Sequence, residues 1–409
     1  MRAPGPSARE WGPRAQRATG VPPATEPRRG PGKTMGRWLA LAVVLLAAPA
    51  AWAQEEVSDE APTPSEPAPG EAEKPKRDWK LEYGARLFVR DTFTRVEVGD
   101  DPVWRHDRAI DQARVFATYD RKRLRIAFEV EMADGDAELK DTYIRIKPVD
   151  MLRIIAGRFK VPMSFIWLES KWSLPSVERG ILSELEQDNR GLPFGGIRGE
   201  GVSLELRPDV LLEPRFTAAI FHNPLATGAT PLDPSEDVTQ DLYARLEVEA
   251  GPWLTAAASF GWVGYTTQVS SIDSYQHMPM GGVELAVDSH YLRAWVEGYV
   301  GESFFYQSDN TTSGTFAAAR ALVAGRLRDP VDWIRRIEPF VAGSVLNPTG
   351  DETGDRVSEL SGGASVAFTK YWRLQLEVAQ RIAEGTLSPV ADTTLIRLQL
   401  AAAFSEAVQ

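Results

Sequence analysis

The chain has 409 residues, 46 Lys+Arg against 57 Asp+Glu, a net charge of −11 and no cysteine. The absence of cysteine excludes disulfides, thiolate metal sites and cysteine nucleophiles, and the acidic balance argues against a general nucleic-acid binder. Mean hydropathy is −0.26 and no stretch reaches ~18 continuous apolar residues, so helical membrane spans are excluded. Strand spans are not, because a membrane β-strand is only half apolar.

Residues 1–34 are rich in Arg, Pro and Gly without periodicity and are expected to be an upstream mis-start with no fold. A better start is Met35: Arg37 supplies a basic region, Leu39 to Ala48 an apolar one, and Ala51-Trp52-Ala53 a small-x-small cleavage site. That pattern reads as a secretory signal peptide over 35–53. Removing residues 1–53 leaves 38 basic against 55 acidic residues, a net −17. Residues 54–78 are acidic, Pro-rich and almost free of large apolar side chains. They lack the apolar surface needed to fold and are expected to form a disordered linker.

From Trp79 onward, period-two alternation dominates. Leu81, Tyr83, Ala85, Leu87 and Val89 share one face, with Glu82, Arg86 and Arg90 on the other. Leu124, Ile126, Phe128, Val130 and Met132 oppose Arg125, Glu129 and Glu131. The same separation recurs over 241–250, 290–300, 371–381 and 394–404. Less regular segments lie at 110–120, 137–147, 152–159, 196–207, 214–222, 253–264, 281–288, 315–327, 337–346 and 357–369. Tight turns (120–122, 250–252, 288–289) alternate with longer polar stretches (97–109, 223–239, 302–314, 347–356).

About sixteen strands of roughly ten residues fit a tilted bilayer crossing, whereas soluble sandwich strands average about five or six. The predicted fold over 79–409 is therefore an all-β, transmembrane, antiparallel up-and-down β-barrel in the outer membrane of a Gram-negative bacterium. Trp79, Tyr119, Trp253, Trp262, Tyr265, Tyr291, Tyr371, Trp372 and Phe404 fall near strand ends, as interfacial aromatic girdles do.

Within 139–182, Leu139-Lys140-Asp141-Thr142-Tyr143-Ile144-Arg145 precedes Gly157-Arg158-Phe159-Lys160-Val161-Pro162, followed by Glu178-Arg179. Arg198 to Gly201 and Phe221-His222-Asn223 come next. This order resembles the phosphate-selective O/P-type porins over roughly 110 residues. The resemblance implies a trimeric sixteen-stranded channel, a long inward-folded constriction loop, and basic residues that guide small anions such as phosphate. Residues 161–189 are too long for a tight turn and carry Phe165, Ile166, Trp167, Leu168 and Trp172 as apolar anchors. The expected anion path comprises Arg125, Arg145, Arg158, Lys160, Lys171, Arg179 and Arg190, with Trp167 and Trp172 holding the loop. Two features depart from the pattern: residues 79–409 carry a net −12, and Phe404 is followed by five further residues.

No Gly-x-Ser-x-Gly, His-Glu-x-x-His or P-loop is present, and the four histidines are scattered. The carboxylates of 347–355 lack calcium-loop spacing. The sequence therefore predicts no catalytic residue, no metal site and no cofactor. Two readings stay open: a passive diffusion channel, and a structural or adhesive barrel plugged by its loop.

Overall fold

The computed structural model describes residues 78–98, 101–133, 137–182, 198–222, 240–269, 272–303, 314–347, 356–384 and 392–408. The expected mis-start, signal peptide and linker (through Arg77), the loop residues 183–189 and Arg190 lie outside the described residues. So do residues 348–355.

Seventeen strands form one antiparallel sheet. The first seven are β1 (Trp79–Val98), β2 (Asp101–Arg121), β3 (Leu124–Glu131), β4 (Glu138–Val149), β5 (Leu152–Lys160), β6 (Arg198–Leu206) and β7 (Arg215–His222). Then follow β8 (Gln240–Glu249), β9 (Leu254–Val269), β10 (Ile272–Asp288), β11 (Leu292–Ser303) and β12 (Gly314–Gly325). The chain ends with β13 (Leu327–Val331), β14 (Ile334–Asn347), β15 (Arg356–Ala367), β16 (Trp372–Glu384) and β17 (Thr393–Val408). Strands β12 and β13 both pair with β14 and are two parts of one wall strand interrupted at Arg326. The wall is therefore sixteen strands wide, as the sequence predicts. β17 pairs with β1 from Leu81↔Val408 to Val96↔Thr393, which closes the barrel. Closure leaves no edge strand with unpaired backbone groups in lipid.

Burial runs inside out. On β11, Val296 is 51% exposed while its neighbour Glu297 is 1% exposed. The outward row on β8, β11 and β16 holds Leu242, Leu246, Leu292, Val300, Leu376 and Val378, all exposed. The inward row holds Arg245, Glu247, Arg293, Arg373 and Glu377, all buried. An apolar exterior with a charged interior is stable only when lipid replaces water outside.

Most of the expected girdle collects at the end with the short connections; Trp262 lies within β9 instead, and the Tyr265 side chain lies outside the described residues. Trp253, Tyr291, Trp333, Tyr371 and Trp372 are exposed beside the turns of that end. Trp79 stacks on Tyr119 at 6.4 Å, and Tyr371 stacks on Phe404 at 6.3 Å. The residues after Phe404 continue the strand: Ser405 to Val408 pair with Gly84 to Leu81.

One expectation is corrected and one element is extended. Residues 97–109 are not a loop: β1 runs to Val98 and β2 starts at Asp101. The β9–β10 hairpin is likewise longer than the segments 253–264 and 281–288 read from the sequence, with pairing out to Val269↔Ile272. Both hairpins run longer than a bilayer crossing needs. In the first hairpin, polar pairing takes over: Arg108 Nε lies 2.8 Å and His106 Nε2 2.9 Å from Asp91 Oδ1, and Phe93 stacks on His106 at 4.5 Å.

A charge in the belt tests this frame. Val296→Arg is expected to destabilise the barrel in vesicles by about 2–4 kcal/mol, read by reversible denaturant titration. An unchanged midpoint would contradict a lipid-facing Val296.

Candidate functional site

The inward segment begins where β5 ends. Gly157 has φ +127°, and a Cβ there would lie 2.4 Å from the Thr142 carbonyl oxygen on β4. Only glycine adopts that backbone comfortably, which gives the Gly-x-Phe-Lys-x-Pro element a structural reason. After Lys160 the chain turns into the lumen, forms a single helical turn α1 (Phe165–Leu168), and can be followed to Leu182.

The barrel wall supplies carboxylates to the start of α1. Glu284 on β10 accepts from the amides of Ser164 at 3.2 Å and Phe165 at 2.9 Å. Glu297 on β11 accepts from the Ile166 amide at 2.8 Å and from the Ser164 hydroxyl at 2.8 Å. Ser164 Oγ in turn accepts from the Trp167 amide at 3.1 Å, an N-cap. Both carboxylates are balanced by wall arginines: Arg245 donates to Glu284 at 2.6 Å and Arg320 to Glu297 at 2.7 Å. Arg245 also covers the Phe165 ring at 4.5 Å. A buried carboxylate lacking such partners would cost several kcal/mol.

A second anchor holds residues 171–178. Gln375 on β16 donates to the carbonyls of Leu174 (3.1 Å), Pro175 (3.1 Å) and Ser176 (2.9 Å). Glu377 accepts from the amides of Val177 at 2.8 Å and Glu178 at 3.3 Å, and is paired with Arg397 at 2.7 Å. Arg373 donates to the Lys171 carbonyl at 3.0 Å, and Arg293 to the Ser173 carbonyl at 2.7 Å. Apolar contacts reinforce both anchors: Val161, Met163, Ile181 and Leu182 pack with Phe221, Tyr243 and Phe316, and Ile166 and Leu174 with Trp295, Leu322 and Phe340. Leu168, expected to be an anchor, is instead exposed. Trp167 is buried beside Arg179, and Trp172 lies between Phe88 and Arg373.

The predicted anion-path residues separate into two groups. Lys160, Lys171 and Arg179 bind the loop itself. The Lys160 ammonium donates to the carbonyls of Trp167 (2.8 Å), Leu168 (3.0 Å) and Glu169 (3.3 Å), closing the end of α1. Arg179 donates to the carbonyls of Ile166 and Glu169, each at 3.0 Å. Lys171 bridges Asp111 and Glu178, and Arg90 meets the same two carboxylates. Burial pulls the Lys171 ammonium down to about 8, against the opposing pull of Asp111. Arg158 stands opposite Glu200 in register, its guanidinium 3.5 Å from Glu138.

Arg125 and Arg145 belong to a different surface, the lumen side of β3–β7 near the short connections. They face each other in register and share Asp120, at 2.6 Å and 3.8 Å. Arg153 and Arg207 likewise share Glu205, at 2.8 Å and 2.5 Å. Lys147 is surrounded by Arg125, Arg145, Arg153 and Arg207 and has no ion-pair partner within 4 Å among the described residues. Arg215 continues the patch and pairs with Glu247 at 2.9 Å. Five cations (Arg125, Arg145, Lys147, Arg153 and Arg207) thus face two paired carboxylates. The expected anion path did not include Lys147, Arg153, Arg207 or Arg215. The signal was present for Lys147, which alternates with Arg145 on one strand face. The anchors Glu284, Glu297, Gln375 and Glu377 had no signal, because their loop partners lie over a hundred residues away.

Exposure separates the two halves of the lumen. The side chains of Arg125, Arg145, Arg153, Arg207 and Arg215 keep 19–34% of their surface. Glu284, Glu297, Arg320 and Arg397, beneath the loop, keep 4% or less. The loop thus lies on the β10–β17 side and leaves the basic wall in contact with water.

No protein-family model and no curated protein matches the sequence. Among solved structures, the chain is similar in fold to an anion-selective porin from Comamonas acidovorans, at 10% identity over 80% of this chain and 100% of that one, with a TM-score of 0.56. It is similar to the outer membrane channel DcaP of Acinetobacter baumannii at 11% identity over 80% and 97%, with a TM-score of 0.54. A loop L8 deletion mutant of OmpT, an outer membrane protein of Vibrio cholerae, matches at 10% identity over 80% and 100%, with a TM-score of 0.51. The closed sixteen-strand wall and its apolar belt therefore define an outer-membrane β-barrel of the porin fold. At such identities the likeness is one of fold, and it does not single out the phosphate-selective type.

Removing one wall carboxylate tests the first anchor. Glu297→Ala strips partners from Ser164, Ile166 and Arg320 together. Amide exchange at 164–168 is expected to speed up by about a hundredfold while the strands stay protected. Unchanged exchange there would show that Glu297 does not hold the loop.

Proposed function

We propose that the protein is an outer-membrane diffusion channel for small solutes, biased toward anions. The observation that carries this reading is the water-accessible basic wall of Arg125, Arg145, Lys147, Arg153 and Arg207. Ion pairing offsets only part of its charge. In a narrow aqueous path with low-dielectric walls, an uncompensated positive cluster raises local anion occupancy. Arginine adds a planar fork of donors that matches phosphate or carboxylate. The word anion-selective in the name of the Comamonas protein and the resemblance of residues 139–182 to the phosphate-selective O/P-type porins both support this cargo class.

The reading moves the anion-guiding role away from the loop clamps. Lys160 and Arg179 keep the constriction in shape, and the opposite wall supplies the selective field. A plugged structural barrel is disfavoured by the partial exposure of that wall.

Reversal potentials in planar bilayers under a KCl gradient test the assignment. Arg145→Gln with Lys147→Gln is expected to lower the anion-to-cation permeability ratio about two- to fivefold without changing the folded yield. An unchanged ratio would remove these residues from the path, and absence of conductance in the parent protein would bring the plugged barrel forward.

Lys171 predicts a pH response. Its charge at the loop is present at pH 7 and lost as pH rises through about 8, whereas the arginines stay charged. That loss leaves Asp111 and Glu178 balanced by Arg90 alone, so a net negative charge appears at the loop and anion preference should fall between pH 7 and 9. Lys171→Met should diminish that fall, and an equally large fall in the variant would assign it to another group.

A further inference from the structure

The basic wall and the start of the barrel share one end. β1 begins at Trp79, paired with Arg121 beside the turn between β2 and β3, so the chain enters the barrel at the end with the short connections. Arg125 and Arg153 sit one residue inside the starts of their strands at this same end. Arg145 and Lys147 are near the end of β4, and Arg207 directly follows β6. Exposed Lys122 stands on the adjoining turn.

Lys74, Lys76 and Arg77 directly precede the barrel, and the chain upstream of them carries the opposite charge. Between Gln54 and Glu73 are Glu55, Glu56, Asp59, Glu60, Glu66, Glu71 and Glu73, with no Lys or Arg. Sixteen strands at about 4.8 Å spacing and ~40° tilt close a barrel about 30 Å across. Twenty residues have a maximum polyproline-type reach of about 60 Å, which exceeds that width.

We propose that the acidic segment 54–73 docks on the basic mouth formed by Arg125, Arg145, Lys147, Arg153 and Arg207, as a tethered competitor for the anions that use it. The segment supplies seven carboxylates to a surface whose four arginines share Asp120 and Glu205 as ion-pair partners among the described residues. Tethering holds it at high effective concentration, so weak individual contacts suffice. The physical consequence is that the segment competes with small anions for these cations at low salt and is displaced by added salt or a competing polyanion.

The absence of cysteine allows spin labels to be placed cleanly on the full chain. One pair joins Ser65→Cys to Leu211→Cys, in the exposed connection between β6 and β7. A control pair joins Ser65→Cys to Trp104→Cys at the far end of the barrel. The expected result is a short-distance population in the first pair only. It should vanish in 1 M KCl, where the Debye length is about 3 Å, and when all seven acidic residues are replaced by Gln or Asn. In bilayers, the same neutralisation should raise the anion-to-cation permeability ratio about two- to threefold. A broad, salt-independent distance distribution overturns the proposal even if the channel is anion-selective. The docking rests on the proposed channel only for its effect on transport, so a barrel that never conducts defeats the channel reading while the distance measurement still decides the docking.

Discussion

Closure of β17 onto β1 is the constraint on which the rest of the structure depends. A strand in lipid cannot leave its amides and carbonyls unpaired, because no water is present to take them. Once Leu81↔Val408 to Val96↔Thr393 are in register, every wall strand has two neighbours. Side chains are then sorted by face alone: apolar toward lipid, polar toward the lumen. This sorting explains why the buried residues of the barrel wall include so many arginines and glutamates, and why isoleucine, leucine and valine are exposed.

The lumen is not a uniform ladder. On the β10–β17 side, carboxylates and arginines are paired with each other and also bonded to the backbone of the inward loop. Glu297 and Glu377 each serve loop amides and one arginine at once. Such sharing satisfies several groups with few charges, which is what makes their burial tolerable. On the β3–β7 side, the ratio is reversed, with pairs of arginines sharing one carboxylate. The first half is therefore a support, and the second is the surface to which the anion bias is assigned in the proposed function.

Overall net charge is a poor guide to such a molecule. The barrel portion is acidic, yet the water-facing cluster near the short connections is locally basic. Charges fixed under the loop neutralise one another at contact distance and contribute little field beyond a Debye length. In the proposed reading, selectivity follows the uncompensated charges beside the path, and composition does not report them.

The barrel was legible in the sequence because strand period two and the lipid–water contrast act on every residue in turn. Face assignments at Leu124 to Met132 and at Leu292 to Val300 needed no partner to be known. The inward segment was legible as well, from its length and its apolar side chains. The hairpin extensions at 97–109 and 265–280 were hidden, since they exceed the length that a bilayer crossing imposes. Equally hidden were the roles of the basic residues. Lys160 and Arg179 look like filter cations in sequence, but carbonyl oxygens of 166–169 take up their donors. Local alternation thus determined which residues face the lumen. Only the tertiary structure decided which lumenal charges are neutralised and which remain open to water, because that depends on contacts between segments as far apart in sequence as Val177 and Glu377.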